Sequence, residues 1–377
     1  MSSELASVAV PESKIAALRL ALVPGVGPLT RKKLLERFGS PEAVLSAAPS
    51  DLRTVERVGP KVCRAIAMAR SDIDVDGELE LCRQSEIEIL DETDGGYPGS
   101  LREIADPPGV LFVRGKMQAN DAMAVGIVGS RHATHYGLAQ AEQLAGALAR
   151  AGLTIVSGLA RGIDAAAHRG ALAAGGRTIA VLASGVLNIY PPEHVELADE
   201  VAAHGAVISE SPPKFGPLAG MFPQRNRIIS GLSLGVIVVE ASTRSGALIT
   251  ARHAMEQGRE VFAVPGPVTS RMSHGCHRLI RDGAKLVETV DDVLDELGPL
   301  AAAAPAAADG REIHHPAELK LNELEQQVLA AVPNEATTVD AVISASGLTA
   351  PQVLATLSVL EMRRLVRRLS GNSVLRL

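Results

Sequence analysis

A short turn of glycine, serine and arginine follows an apolar run near residue 125 and has the composition of a phosphate-binding turn. The run 122–125 leads into GIVGSRHATHYG at 126–137, in which Gly129 and Ser130 precede Arg131. Backbone N–H groups at such a turn, together with the arginine charge, bind a phosphate where a strand leads into a helix. That phosphate can belong to a dinucleotide cofactor, a small nucleotide substrate or a nucleic-acid backbone.

A second set of phosphate-compatible side chains lies further along the chain. The segment FPQRNRIISGLS at 222–233 places Arg225, Asn226 and Arg227 at the start of a predicted helix, ahead of an apolar strand at 236–239. Arginine suits phosphate because its planar guanidinium donates two parallel hydrogen bonds. This segment is therefore the densest candidate for anion binding in the sequence.

The segment that follows this strand adds hydroxyl groups and a glycine. It is EASTRSGALIT at 240–250, with Ser245 and Gly246 at the N-terminus of the next predicted helix. In a parallel sheet, the turns that follow the strands all meet at the carboxyl edge. We therefore expect these residues to lie beside Ser130 and Arg131.

Positive charge is concentrated in the same part of the chain. Between Lys214 and Lys285 there are ten Lys/Arg and four Asp/Glu, a net charge of +6, whereas the whole chain carries −6. This concentration indicates a polyanion bound at the predicted edge. Some of these cations, Arg252 and Arg259 in particular, are instead expected to be solvated helix residues.

The usual nucleotide-binding patterns are absent from the sequence. The turn at 126–137 does not match GxGxxG, and no GxxxxGK[ST] occurs. The second strand ends in IVSGLARGID at 155–164 without the acidic residue that binds a ribose in dinucleotide folds. A dinucleotide cofactor is therefore disfavoured, and we predict no cofactor.

The cysteines and the apolar runs bear on compartment and chemistry. Cys63, Cys82 and Cys276 are far apart and lack metal-ligand spacing, so we predict no metal site and expect a reducing cytoplasm. The first residues lack a secretory signal pattern, and no apolar run is long enough to cross a membrane. Cys276 and His277 are adjacent, a spacing that rarely lets two side chains face each other on a helix, so we predict no catalytic pair.

Strands and helices alternate from about residue 95 to 297, a pattern typical of a mostly parallel sheet with helices on both faces. Strands are expected near 124–128, 154–157, 178–182, 206–209, 235–240, 261–264 and 285–287, with helical patterns at 138–151, 164–174, 247–257 and 277–282. Aromatic residues make up only 2% of the 377 residues, so aliphatic side chains must build the core. The predicted fold class is α/β, with a Rossmann-like sheet domain at 91–297.

The region before the sheet, residues 1–90, is predicted to be a small helical domain. VPGVGP at 23–28 and VERVGP at 55–60 each precede a helical pattern. Both resemble the turn of helix-hairpin-helix (SAM-like) modules, in which glycines let backbone N–H groups approach a DNA phosphate. A tight turn between packed helices explains the same glycines, so both interpretations stay open.

The region after the sheet begins with a Pro/Ala-rich linker at 298–315. Residues 316–377 then alternate helix and turn and end in a hairpin around Ser-Gly-Asn, which predicts a winged-helix domain. Its basic cluster consists of Arg363, Arg364, Arg367 and Arg368. This cluster suits a DNA or protein partner, and a solvated helix end explains it equally well.

Several motifs together resemble the DNA processing protein A (DprA/Smf) family. They are GSR at 129–131, SGLARGID at 157–164, YPPEH at 190–194, FPQRNRIISGLS at 222–233, SGALITARHA at 245–254, GREVFAVPG at 258–266 and LIRDGA at 279–284. The match covers about residues 95 to 297. The flanking helical and winged-helix regions are similar to those of the longer family members.

The resemblance implies a protein that binds single-stranded DNA and is not an enzyme. It further implies a homodimer formed through the Rossmann-like domain, which protects incoming DNA and loads the RecA recombinase onto it during natural transformation.

By this resemblance, a group of residues would form the DNA-binding pocket. Arg131 and its turn would hold backbone phosphates, and Phe222 would stack on a base or anchor the core. Some family members carry a lysine shortly before FPxRNR; here Lys214 is the nearest substitute. The predicted DNA-binding residues are Gly129, Ser130, Arg131, Lys214, Phe222, Arg225, Asn226, Arg227, Ser245 and Gly246.

Two other functions stay open at the level of sequence. A nucleotide phosphoribohydrolase of the same superfold would carry PGGxGTxxE, whereas the corresponding turn at 240–251 has no carboxylate after its glycine. The third possibility is an adaptor that acts mainly through protein contacts.

Overall fold

The computed structural model describes residues 10–301, 321–333, 336–362, 365–369 and 372–376. Within these ranges the chain forms an N-terminal group of helices, a nine-stranded sheet flanked by helices, and a small C-terminal region with a three-stranded sheet. The predicted α/β fold class, with a helical region before the sheet and a winged-helix region after it, is confirmed.

Between residues 10 and 86, the N-terminal region forms six helices. They are α1 Glu12–Leu22, α2 Pro28–Phe38, α3 Pro41–Ser46, α4 Pro49–Leu52, α5 Pro60–Asp72 and α6 Val75–Gln84. Helices α2 to α5 each begin at a proline, whose fixed φ and missing N–H are tolerated in the first turn. Leu20, Leu34, Val44, Leu52 and Ile66 are fully buried, and they form a core of the region's own.

The large sheet has nine strands within the described residues. They are β1 Ile87–Asp91, β2 Val110–Gly115, β3 Ala124–Val128, β4 Thr154–Ser157, β5 Thr178–Val181, β6 Ala206–Ser209, β7 Gly235–Val238, β8 Glu260–Ala263 and β9 Lys285–Leu286. Their order is β1-β2-β6-β5-β4-β3-β7-β8-β9. Strands β3 to β9 run parallel, and β1 and β2 add an antiparallel edge.

Helices cover both faces of this sheet. They are α7 Gly99–Arg102, α8 His135–Arg150, α9 Ile163–Ala173, α10 Val195–His204, α11 Met221–Leu232, α12 Ala247–Glu256, α13 His274–Arg281 and α14 Val290–Ala301, with short 3₁₀ helices at Ala119–Ala122 and Pro192–His194. Strands β3 to β7 are buried at every residue. Burial on both faces explains their continuous runs of Val, Ile and Ala.

The C-terminal region has the secondary structure of a winged helix. Its elements are α15 Glu323–Ala330, β10 Thr337–Thr338, α16 Val339–Ser346, α17 Ala350–Met362, β11 Val366–Leu369 and β12 Ser373–Arg376. The strands pair in the antiparallel order β10-β12-β11. Among the residues that the structure describes, no single helix is long and apolar enough to cross a membrane; only Val339–Ser346 and Ala350–Glu361, taken together across a 111° bend, reach that length and hydropathy.

The structure differs from the sequence-based expectations at both ends of the sheet domain. The segment Ile87–Asp91 is a strand that sequence patterns did not identify, because it is defined by antiparallel pairing with β2 much later in the chain, Ile87 opposite Arg114. Helix α14 continues to Ala301, so the first residues of the predicted linker are helical. Residues 302–315 of that linker lie outside the described residues.

Candidate functional site

The candidate site lies where neighbouring strands β3 and β7 end. The chain leaves β3 toward β4 on one side and leaves β7 toward β8 on the other, which creates a topological switch point with a crevice at the carboxyl edge. The backbone N–H of Ser130 donates to the carbonyl of Glu240 at 2.7 Å, and the N–H of Ile163 donates to the carbonyl of Ser130 at 3.2 Å. The turns after β3, β4 and β7 are therefore tied together.

Glycines allow these turns to approach so closely. Gly162 has φ +76°, and a Cβ there would collide with the Ser130 carbonyl. A Cβ at Gly129 would lie 2.5 Å from the Ile163 side chain. The glycines of GSR and SGLARGID are thus explained by the packing of one turn against the other.

A carboxylate fills the N-terminus of α8. The Oε2 atom of Glu240 accepts from the Thr134 N–H at 2.8 Å, and Oε1 accepts from the Thr134 hydroxyl at 2.6 Å. The Thr134 Oγ1 accepts in turn from the Gly137 N–H at 3.2 Å, and Glu240 is only 3% exposed. A helix N-terminus attracts anions, and here the anion is Glu240 itself. Pyrophosphate of a dinucleotide would have to displace this carboxylate.

The predicted turn therefore exposes less than its sequence suggests. The Ser130 N–H is committed to Glu240, the Ser130 Oγ accepts from the His132 N–H at 3.0 Å, and Ser130 is 7% exposed. Arg131, the next residue, is exposed. Gly129 and Ser130 thus shape the turn, and Arg131 is what the turn presents to solvent.

Arg131 forms an exposed cluster with two aromatic rings, here called the outer cluster: Arg131, Tyr190 and Phe222. The Arg131 guanidinium carbon lies 4.8 Å from the centre of the Phe222 ring. The Tyr190 ring meets Phe222 edge-on, with ring centres 5.8 Å apart and planes at 64°. Both rings are half-buried, and Phe222 belongs to the first turn of α11. A cation over an aromatic face is mutually attractive, so the geometry holds Arg131 at the mouth of the crevice.

Other exposed cations stand on the loops of the same edge. Arg161 follows β4 and pairs with Glu193, and Arg244 follows β7. Sequence reasoning did not select these two, although each lies in a motif directly after a predicted strand. Lys214 follows β6, which is separated from β3 by β5 and β4, and its charge opposes the burial that raises the pKa of Glu78 on α6.

Beneath the outer cluster lies a buried polar group, here called the inner cluster: Asp164, His168 and Arg225. Arg225 is 4% exposed, its Nη1 donates to the Val181 carbonyl, and its Nε has no hydrogen-bond partner within the described part of the chain. Burial lowers the pKa of Arg225 to about 10 and raises the pKa of Asp164, whose charge Arg225 stabilises. A Cβ at Gly158 would lie 2.5 Å from the Arg225 Cζ, so glycine leaves room for the guanidinium.

His168 completes the inner cluster one helical turn after Asp164. Its Nδ1 lies 2.7 Å from the Thr178 Oγ1, which itself donates to the Ile155 carbonyl. The imidazole is fully buried, and this burial lowers its pKa to about 3. His168 is therefore neutral at physiological pH and donates through Nδ1.

Arg227 is also used inside the protein. Its Nη2 donates to the Glu210 carboxylate at 2.6 Å, its Nε donates to Asp106 at 3.1 Å, and its side chain is 3% exposed. Arg225 and Arg227 were predicted to shape the DNA pocket; the structure places both below the surface, where they hold α11 against the sheet.

Asn226 lies between these arginines and connects α11 to α12. Its Nδ2 donates to the Gly246 carbonyl at 3.4 Å. The Ser245 Oγ accepts from the Ala247 N–H at 3.3 Å, and exposed Gly246 precedes α12 without a side-chain cap. The structure thus brings Asn226, Ser245 and Gly246 together on the rim of the crevice.

The concentrated positive charge does not line the edge as a whole, which corrects the expectation from the sequence. Arg225 and Arg227 are buried, and Arg259 donates to the Ser100 carbonyl at 3.1 Å. Arg278 of α13 pairs with Asp282, which follows the helix, and Lys285 pairs with Glu296 on α14. Arg281 donates to the His277 carbonyl at 3.1 Å, so six of the ten cations in that window make contacts within the protein.

The thiol of Cys276 is unsuited to catalysis. It is buried and donates to the carbonyls of Val238 and Val239 at 3.5 and 3.6 Å, and burial raises its pKa to about 12. The neighbouring His277 directs Nε2 toward the Gly266 carbonyl, 3.0 Å away. Within the described ranges, no three His, Cys, Asp or Glu residues are grouped so that they can hold a metal.

The structure describes two of the four arginines in the basic cluster of the winged-helix region. Arg363 and Arg364 lie outside the described residues. Arg367 is exposed on β11, whereas Arg368 donates to the Leu354 carbonyl and the Ser358 hydroxyl at 3.1 and 2.8 Å.

Three family models match successive parts of the chain. Residues 17–72 match a SAM-like helix-hairpin-helix tandem, residues 88–298 match DNA recombination-mediator protein A, and residues 300–372 match the DprA winged helix domain.

Known proteins resemble the chain over most of its length. Protein Smf of Synechocystis is 36% identical and covers 93% of this chain and 95% of its own. The X-ray structure of DNA processing protein A from Streptococcus pneumoniae is 39% identical, with a TM-score of 0.66 over 75% of this chain and 97% of its own. A structure of DNA processing protein A from Helicobacter pylori, which gives insight into how that protein binds single-stranded DNA, is 30% identical. Its TM-score is 0.51 over 56% of this chain and 95% of its own.

Proposed function

The chain belongs to the DprA/Smf family of DNA-processing proteins, and from that premise we propose that it binds single-stranded DNA at the carboxyl edge of its sheet. The observation that carries the proposal is the outer cluster, in which the exposed Arg131 guanidinium lies 4.8 Å from the half-buried Phe222 ring. Sequence-independent binding of single strands combines cationic side chains with rings on which bases stack. The related Helicobacter pylori protein is one whose single-stranded DNA binding mode has been described.

Each member of the outer cluster has a distinct role in this proposal. Arg131 binds a backbone phosphate, and the rings of Phe222 and Tyr190 stack on one or two bases. Phe222 is absent from the apolar core clusters of the sheet domain, which favours stacking over the alternative role of a core anchor. Asn226, Ser245 and Gly246 form the opposite rim, where the Asn226 amide and the Ser245 hydroxyl can donate to a second phosphate.

Salt dependence tests this site directly. Five exposed cations, Arg131, Arg161, Lys214, Arg244 and Arg271, lie on the loops of this edge, and the pairing of Arg161 with Glu193 leaves four for phosphate. About four phosphate contacts predict a slope of roughly −3 for log K against log salt, so raising salt from about 50 to 200 mM weakens binding by roughly fiftyfold. Fluorescence anisotropy with mixed-sequence single strands measures this slope, on the full chain and on residues 95–297. A flat response excludes the site.

We also propose that this edge works without catalysis. A phosphoribohydrolase needs a free acid or base, whereas both carboxylate oxygens of Glu240 accept from Thr134, and Asp164 is buried beside Arg225. Incubation with nucleoside monophosphates should release no free base. Release of base that is abolished by Glu240→Gln would establish the hydrolase instead.

Family membership supports a wider role: protecting incoming DNA and loading RecA recombinase onto it during natural transformation. On strands coated with a single-strand-binding protein, this protein should shorten the lag before RecA filaments form. An unchanged lag would contradict loading. If Arg131→Ala leaves DNA binding unchanged but the lag is still shortened, the protein is an adaptor that acts through protein contacts.

We further propose a homodimer formed through the Rossmann-like domain. The edge strand β9 is two residues long and exposes Leu286 to 43% of its surface, an apolar residue at an unpaired sheet edge. Sedimentation velocity should give twice the chain mass for the wild type and a lower mass for Leu286→Glu. A monomeric wild type would contradict the proposal.

A further inference from the structure

The N-terminal region contains the same hairpin twice. VPGVGP at 23–28 precedes α2, and VERVGP at 55–60 precedes α5. Gly27 and Gly59 occupy equivalent N-cap positions with nearly identical backbones, φ/ψ −83°/175° and −82°/175°. Gly25 has φ +89°, and its counterpart Arg57 adopts a similar left-handed conformation with φ +71°. The second hairpin thus keeps the backbone of the first and adds a cation at its tip.

The cations of the first hairpin are engaged within the protein. Arg31 is buried and donates to Glu92 at 2.7 Å, and a Cβ at Gly109 would lie 2.5 Å from its Cζ. Lys32 donates to the Ala105 carbonyl at 2.8 Å. These contacts dock α2 against the segment between β1 and β2. The first hairpin therefore packs the helical region against the sheet domain.

The cations of the second hairpin face solvent. Arg53, Arg57, Lys61 and Arg64 are all exposed. In the part of the chain that the structure describes, no ion pair or hydrogen bond is made by the side chains of Arg53, Lys61 or Arg64. Lys61 and Arg64 are three residues apart and share one face of α5.

Little negative charge offsets this surface. Glu56 is the one acidic residue between Asp51 and Asp72, and it pairs with Lys33 of α2. The N-terminus of α5 has no side-chain cap, so its first N–H groups add to the positive potential beside Lys61. Four cations around an uncapped hairpin of fixed shape match a repeating phosphate backbone better than an isolated anion.

We propose that the second hairpin, with Arg53, Arg57, Lys61 and Arg64, binds the phosphodiester backbone of DNA at a site separate from the sheet edge. The first hairpin has the same backbone, but the three successive cations of α2 are engaged within the protein: Arg31 with Glu92, Lys32 with the Ala105 carbonyl and Lys33 with Glu56. The first hairpin therefore takes no part. Because one free hairpin contacts one backbone strand, a single strand and either strand of a duplex offer it the same chemistry.

The test compares two charge-matched double variants of the full chain. Lys61→Gln/Arg64→Gln removes two exposed hairpin cations, and Arg150→Gln/Arg169→Gln removes two exposed cations on α8 and α9. Glutamine has a helix propensity close to that of Lys and Arg, so both variants should fold. Salt titrations are run with a fluorescent single strand and with its duplex.

Loss of two phosphate contacts reduces the salt slope by about 1.4 for a single strand and about 1.8 for a duplex, which at about 0.1 M salt weakens binding roughly 25-fold and 60-fold. A reduced slope with either DNA supports the proposal and identifies the source of the backbone. Slopes equal to those of the α8/α9 control with both DNAs overturn it. Binding of an acidic protein with no change in DNA binding also overturns it.

A further variant separates this inference from the proposed function. Arg131→Ala alters only the sheet edge, so each site has its own variant. If Arg131→Ala has no effect while Lys61→Gln/Arg64→Gln does, the sheet-edge proposal fails and the hairpin site stands; the opposite result rejects the hairpin site. Hydrogen exchange gives a second measurement, because DNA should protect backbone amides at 57–62. Equal exchange with and without DNA contradicts the proposal.

Discussion

The outer and inner clusters come from the same sequence motifs but differ in what they do with their charges. In the outer cluster, Arg131 is exposed and lies over Phe222. In the inner cluster, Arg225 is buried above the β5 carbonyl of Val181 and beside Asp164. The clusters are less than one helical turn apart along α11, since Phe222 and Arg225 belong to the same short segment.

This difference shows that an arginine in a phosphate-like motif need not contact phosphate. Arg225 and Arg227 satisfy carbonyl and carboxylate groups beneath the edge, and removing them affects the scaffold before the ligand. Arg131 is exposed and, in the part of the chain that the structure describes, does not donate to carbonyl or carboxylate groups beneath the edge. Variants that separate stability from DNA affinity therefore test the distinction between the two layers.

The largest effect is expected for Arg227→Ala. Removing this side chain leaves Glu210 and Asp106 without their shared cation in a site where the arginine is 3% exposed. Breaking a buried ion pair costs about 3–5 kcal/mol in the free energy of unfolding. Urea denaturation of the sheet domain measures the loss, with exposed Arg252→Ala as the control. Equal midpoints for the two variants would show that Arg227 is not part of the scaffold.

A smaller loss in the free energy of unfolding is expected for Gly158→Ala, which places a methyl group against the Arg225 guanidinium of the inner cluster. The added methyl group would lie 2.5 Å from the Arg225 Cζ, and the buried guanidinium has little room to move. Overpacking of this kind costs about 1–3 kcal/mol. Gly246→Ala is a matched control, because nothing lies within 4 Å of a Cβ at that position. Equal stability of both variants would mean that the packing around Arg225 is loose.

The inner cluster should also make stability depend on pH through His168. Burial lowers the pKa of its imidazole to about 3, from 6.5 in the unfolded chain. The folded state keeps the His168 imidazole neutral. Its contribution to stability is therefore complete above pH 6.5 and is lost as the pH falls toward 3. The loss amounts to about 1.4 kcal/mol per pH unit below 6.5.

Comparison of wild type with His168→Gln between about pH 7 and 5.5 isolates this contribution. The variant should show a flatter pH profile than the wild type. Parallel profiles for wild type and His168→Gln would contradict the predicted protonation of the inner cluster.

The smallest change is expected for Arg131→Ala, and it should affect binding alone. Loss of one phosphate contact weakens single-strand binding about fivefold at about 0.1 M salt and reduces the salt slope by about 0.7. The unfolding midpoint should not move, because Arg131 is exposed. A large loss of stability in this variant would erase the difference between the two clusters.

Much of the fold could be predicted from the sequence. Strands β3 to β9 were each expected within a few residues. Strands β3 to β8 are mostly buried, and buried parallel strands give short apolar runs that end in glycine or polar residues. Strand β1 could not be recognised, since it depends on pairing with β2 across an intervening helix. The carboxyl edge followed from the order of strands and turns.

The depth of each side chain at that edge could not be predicted. Arg225, Asn226 and Arg227 are consecutive, and their spacing does not show that the outer two are buried while the middle one reaches the rim. Nor does local sequence reveal that Glu240 binds Thr134, the N-cap of α8, because that hydrogen bond joins residues 106 positions apart. Such roles depend on contacts between distant segments.

The position of the Glu240 carboxylate at the start of α8 affects which anions from the cell can bind there. Soluble metabolites such as nicotinamide dinucleotides compete for the equivalent helix end in related folds, because their pyrophosphate is the anion it attracts. Here the competitor is built into the chain and held by Thr134. If DNA binds at this edge as proposed, a free nucleotide that approaches the start of α8 meets the Glu240 carboxylate instead of an open helix N-terminus.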